Sequence, residues 1–202
     1  MKRQTVFICA IAFVVVITPS LYAEIIGGSS DTSPPPFWED SFWWVSPTFE
    51  RAFPFTTPSD GPFTVEELEV AVHHPTHIAD ATAYFTINND INGEPGDMLA
   101  SVELSGITTS QQVLSTYFTE EPTLNSDTAY WLVAVASLGY VHWNLGDMAF
   151  GTAAYRENQG EWIVLSDTNV SAFTIHGSPI PEPSTLLLLG LGAVVLRKRR
   201  AT

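Results

Sequence analysis

The run Asn88-Asn89-Asp90-Ile91-Asn92-Gly93 sets oxygen ligands at alternate positions and a glycine at the sixth, like the front half of an EF-hand calcium loop. The twelfth position counted from Asn88 is Leu99, where that loop needs a bidentate Glu, and the first is Asn rather than Asp. The segment is therefore not an EF-hand. Asn-Gly and Pro-Gly are also turn-forming pairs, which makes a hairpin turn the expected reading. A shallow calcium site here would draw on Asp90, Asn92, Glu94 and Asp97; no other cofactor is expected. His73, His74 and His77 cluster beside Pro75 at the end of an apolar run. Imidazoles ligate metals, but this is no His-Glu-x-x-His and no helix sets the rings on one face, so a solvated turn is expected. His142 and His176 stand apart, at expected strand edges.

Phe37-Trp38 and Phe42-Trp43-Trp44 form an aromatic cluster. Aromatic faces stack on pyranose rings, which makes Trp38, Trp43 and Trp44 candidates for a sugar platform. The same rings also fill cores, burying roughly 150–250 Å² each. Trp131, Trp143 and Trp162 fall inside strand patterns and are expected in the core. Catalysis would need a nucleophile with its base and orienter, or paired carboxylates in a recognisable setting. The chain has no Gly-x-Ser-x-Gly, phosphate loop or dinucleotide fingerprint, and neighbouring acids such as Glu66-Glu67 mean little among 22. No enzymatic activity is expected.

The elements that must position these residues read as strands. Phe63 and Val65 share one face, and Leu68, Val70 and Val72 resume the alternation after a one-residue shift at Glu66-Glu67, which predicts a β-bulge. Ala81 to Ile87 and Met98 to Leu104 alternate cleanly, while Tyr130 to Ala136 is apolar on both faces and predicts a central strand. Arg156 to Gly160 predicts a hairpin between two strands, and Val170 to Ile175 would be the last strand. No stretch sustains a helical period. Many short strands at this spacing predict an all-β, antiparallel sandwich or jelly roll.

Both ends carry different signals. Lys2-Arg3, an apolar run from Val6 to Thr18, and small residues up to Ala23 have the order of a secretory signal peptide over residues 1–23. Its hydrophobic helix is shorter than the roughly 20 residues of a stable span. The only cysteine, Cys9, lies within it, so the mature chain has no disulfide, thiol nucleophile or Cys-ligated metal. At the other end, Pro181-Glu182-Pro183-Ser184-Thr185 precedes an apolar run, Leu186 to Leu196, and the basic stop Arg197-Lys198-Arg199-Arg200. Eleven apolar residues make a helix of only about 16 Å, a temporary stop in the membrane with its basic end on the cytoplasmic side.

Residues 178–202 closely resemble the PEP-CTERM sorting signal of Gram-negative bacteria, in the motif, the hydrophobic run and the basic end, taken in order. The resemblance implies an exported protein of the cell surface or extracellular matrix, recognised by an exosortase at Pro181, Glu182, Pro183 and Ser184. It also implies membrane contact through the C-terminal segment before processing.

The domain between the signals has Arg51 and Arg156 against 22 acids, a formal charge of 2 − 22 = −20. Nucleic-acid binding needs clustered Lys and Arg, so that partner is excluded. Such charge favours solubility, salt tolerance and attraction of divalent cations. Residues 24–44 read as a leader with Pro-rich and aromatic segments, and residues 45–177 as one β domain. That domain resembles the choice-of-anchor R domain of bacterial surface proteins, through Arg51-Ala52-Phe53-Pro54-Phe55-Thr56, Asn92-Gly93-Glu94-Pro95-Gly96, Asn125 to Leu132, Trp143, Trp162 and Phe173. This resemblance implies a displayed β-sandwich with no defined activity. The function expected is a structural or interaction role, with extracellular polysaccharide or matrix as partner. The alternative is a carbohydrate-binding module built on the Phe37–Trp44 aromatics.

Overall fold

A computed structural model describes residues 23–75 and 81–180. Among these residues there are twelve strands and no helix: β1 (Glu24–Gly28), β2 (Phe37–Val45), β3 (Phe49–Thr56), β4 (Phe63–His73), β5 (Ala81–Ile91), β6 (Glu94–Ile107), β7 (Gln112–Tyr117), β8 (Thr123–Leu124), β9 (Ala129–Leu138), β10 (Val141–Glu157), β11 (Ile163–Ser171) and β12 (Phe173–Pro179). The expected signal helix, the short C-terminal helix, the sorting motif, the basic stop and His77 lie outside the described residues.

Alternation and turn chemistry account for the strands. In β5, Ala81, Ala83, Phe85 and Ile87 are buried while Tyr84 is exposed, so one face of the pleat carries the core. Asn92 and Gly93 both take positive φ, 59° and 86°, and close the β5–β6 hairpin with Ile91 opposite Glu94. That is the backbone of a two-residue primed turn, which Asn-Gly adopts at little cost. The β10–β11 turn likewise uses positive φ at Asn158 and Gln159.

The strands form one antiparallel sheet in the order β1-β12-β4-β10-β3-β9-β5-β6, with β2 and β11 also on β10, and β7 and β8 also on β4. The sheet curls into a half-barrel. The long β10 makes this possible. Its first residues pair with β2 and β4, and its last pair with β3 and β11. One strand thus joins both ladders into a single sheet.

The concave core centres on Trp143, which is fully buried. Phe53 and Phe85 meet it edge to face at 4.9 and 5.1 Å, and Phe173 lies 5.8 Å away. Such edge-on packing places positive ring edges on the indole face. The indole Nε1 donates to the carbonyl of Ala172 at 3.1 Å. On the opposite face of β9, Trp131, Val133, Ala52 and Ala154 make a second small cluster with Trp162. β9 is accordingly buried from Tyr130 through Ala134.

Two expected boundaries shift. The segment read as a leader supplies β1 and β2 to the sheet. β1 pairs with β12, and its Ile26 is fully buried. Gly27 follows because a Cβ there would come within 2.3 Å of the Phe55 ring. Residues 178 and 179, read as the start of the sorting segment, continue β12 to Pro179, opposite Phe63.

Candidate functional site

β2 brings the aromatic cluster against β10, with Trp44 opposite His142, Trp43 opposite Trp143, and Phe42 opposite Asn144. Strand alternation then sends Trp43 and Trp44 to opposite sides. Trp43 turns inward, donates Nε1–H to the Asn169 carbonyl at 2.9 Å, and lies 4.2 Å from the Arg51 guanidinium. Trp44 is 59% exposed and Trp38 39%. Tyr140 is also exposed and packs on Trp44 at 6.3 Å, with its plane 62° away. The three tryptophans are therefore not one platform; Trp44 and Tyr140 form an open corner, with Trp38 separately exposed.

Beneath that corner lies a chain of polar groups. Asn144 Nδ2 donates to the Trp38 carbonyl at 3.3 Å, which turns Oδ1 toward His73 Nδ1 at 3.0 Å. His73 Nδ1 must then be the donor, since an amide oxygen only accepts. Its Nε2 in turn accepts from His142 Nδ1 at 2.9 Å. The tautomers of both imidazoles follow from a single amide, leaving His142 Nε2 without a proton. Phe42 stacks on the His142 ring at 3.6 Å and 9°. Burial, with His73 and His74 adding to it, lowers the His142 pKa to about 4. His142 thus stays neutral at ordinary pH.

This differs from the expectation of a solvated histidine turn, since His73 and His74 are buried, and His142, expected at a strand edge, is buried between β2 and β4. The sequence signal missed is the pairing of β4 with β10, which sets His142 opposite His73 across 69 positions of chain. His176 is also engaged, with Nε2 3.0 Å from Glu69 Oε2.

The proposed calcium ligands sit at the β5–β6 turn. Asp90 is already engaged twice: Oδ1 accepts from Trp131 Nε1 at 2.7 Å and Oδ2 from the Gly93 amide at 3.1 Å. It locks the hairpin to the outer cluster. Asn92, Glu94 and Asp97 are exposed around it. Among the described residues, no group of three or more His, Asp or Glu is arranged to hold a metal ion.

Both basic residues of the domain are engaged with other side chains, Arg51 buried and Arg156 part-exposed. Arg156 pairs with Glu50 at 2.8 Å and lies over Trp162 at 4.6 Å. Arg51 is buried in a box of Trp43, Phe49 and Tyr155, at 4.2, 4.5 and 4.9 Å. Its Nε and Nη1 have no hydrogen-bond partner among the described residues. Burial lowers its pKa to about 10, against the opposing pull of Tyr155. The aromatic faces supply the attraction that a carboxylate would. With Arg51 buried and Arg156 paired with Glu50, neither guanidinium is left without internal contacts.

No curated protein matches the chain. A family model described as the PEP-CTERM protein-sorting motif matches residues 179–200. The chain therefore carries a PEP-CTERM signal, which implies export, exosortase-dependent sorting, and anchoring at the membrane by the C-terminal region before processing.

Proposed function

We propose that the protein is a non-catalytic component of the cell surface or extracellular matrix, delivered by its tail and presenting an acidic β domain to the outside. The match at residues 179–200 carries this reading. The −20 charge of the domain supports it, with carboxylates that attract divalent cations and bridge to neighbouring matrix polymers. In this reading Asn92, Glu94 and Asp97 contribute to a shallow calcium site beside Asp90. The domain acts as a β-sandwich whose halves share β10, in keeping with the resemblance to choice-of-anchor R domains.

The test is Glu182→Ala in the native host, followed by fractionation and by the gel mobility of the precursor. The expected result is that precursor stays in the membrane fraction and the mature surface form disappears. Unchanged maturation would remove the sorting role of the motif.

A second reading is carbohydrate binding at the corner of Trp44 and Tyr140, favoured by their exposure. Stacked rings on such a corner contribute about 1 kcal/mol or more per aromatic. Trp44→Ala should therefore weaken retention on immobilised matrix polysaccharide by roughly fivefold or more. Retention that is equal in wild type and variant would leave only the display role.

A further inference from the structure

The two sorting segments leave the domain at the same place. β1 and β12 are antiparallel neighbours, with Glu24 opposite Gly177. Glu24 directly follows the expected signal-peptide cleavage after Ala23, and Gly177 lies four residues before Pro181. The chain entering the fold and the chain leaving it therefore share one end of the sheet.

That end is pinned up to the sorting motif itself. Pro179 is still in register with Phe63, and the Ile180 amide donates to the Pro62 carbonyl at 2.7 Å. Ser178 Oγ donates to Glu66 Oε1 at 2.5 Å. Phe63 is fully buried, and β8 holds it from the other side through Leu124. The next residue, Pro181, opens the motif, and the family match already begins at Pro179, inside the ladder. Fold and sorting signal thus overlap by two residues with no spacer between them.

We propose that the folded domain restrains its own processing: the end of β12 must part from β4 before the motif can seat in the processing enzyme. This rests on the reading of Pro181–Ser184 as an exosortase signal. In this proposal the enzyme engages the residues that flank the motif as well as the motif itself. Here the residues on the N-terminal side are committed to hydrogen bonds with Pro62 and to the ladder with Phe63. Local opening of a strand end is a minor but accessible state. The rate of maturation therefore reports the stability of this strand end, and a chain that has not completed β12 is processed at a different pace from one that has.

The experiment is a pulse-chase of the full chain in its host, following conversion of precursor. A flexible Gly/Ser insert between Ile180 and Pro181 leaves every described ladder bond intact and supplies the missing spacer. If one or two ladder bonds must open, the open state is roughly one in ten molecules or fewer, and the insert should speed conversion roughly tenfold. Ser178→Ala, which only loosens the strand end, should fall between native and insert. Conversion of the insert chain at the native rate, or more slowly, overturns the restraint. Glu182→Ala is added to both native and insert chains. If conversion persists in both, it is the sorting reading that has failed, and a rate difference between insert and native would no longer bear on the motif.

Discussion

Replacing Trp143 by Ala should destabilise the domain by roughly 3–5 kcal/mol, the range for removing a large buried aromatic. The ring is fully buried and touches Phe53, Phe85 and Phe173, which come from three other strands. Those strands lie on both sides of the curl, so they cannot collapse into the space without changing its curvature. The hydrogen bond is the smaller part. The Ala172 carbonyl that accepts from the indole also accepts from the Ala71 amide at 3.2 Å, so it keeps a partner when the indole is gone. Trp143→Phe should therefore cost only about 1–2 kcal/mol, from the lost bond and the smaller ring. Urea unfolding followed by far-ultraviolet circular dichroism measures both variants without relying on tryptophan emission. Equal costs for Ala and Phe would mean that the hydrogen bond, and not the packing, holds the curl.

The importance of Trp143 is visible in the sequence only as one apolar position of a strand pattern. The backbone rules fare better where they are local. The phase slip at Glu66-Glu67 predicts a bulge, and in the structure His176 opposes Glu67 while Gly177 opposes Val65, leaving Glu66 as the extra residue. The doubly apolar run at Tyr130 is indeed a central strand, between β3 and β5. Asn92-Gly93 makes its hairpin because its signal is contained in two residues. What fails is non-local. β1 is short and rich in Gly, so it has no period to read, and its place is set by β12 nearly 150 positions later. The His73–His142–Asn144 chain and the Arg51 box each join residues from strands far apart in sequence. Only the register of β10 brings them together. The tail is the reverse case: its motif, apolar run and basic end work as a linear signal, so it is legible without any fold.

The histidine chain carries the other large effect, and it appears as a pH dependence. In the unfolded chain His142 has the ordinary imidazole value of about 6.5, whereas in the fold burial lowers it to about 4. The folded state therefore binds fewer protons than the unfolded state between these values, and stability rises with pH across the window. The contribution of the neutral imidazole is fully present above about pH 6.5 and is lost progressively down to about pH 4. The loss should amount to about 2 kcal/mol after allowance for solvent screening. The structural reason is the donor ledger. His73 Nε2 has one lone pair and spends it on His142 Nδ1–H; a proton placed on His73 would set two N–H groups facing each other, and one on His142 would charge a ring pressed against Phe42. His176 and Glu69 form their own pair between β12 and β4, so the variant must isolate His142. In His142→Phe the stability difference between pH 7 and pH 4.5 should shrink by most of that amount, measured by urea midpoints at matched ionic strength. An undiminished slope would assign the acid sensitivity to the carboxylates and leave the histidine chain as packing alone.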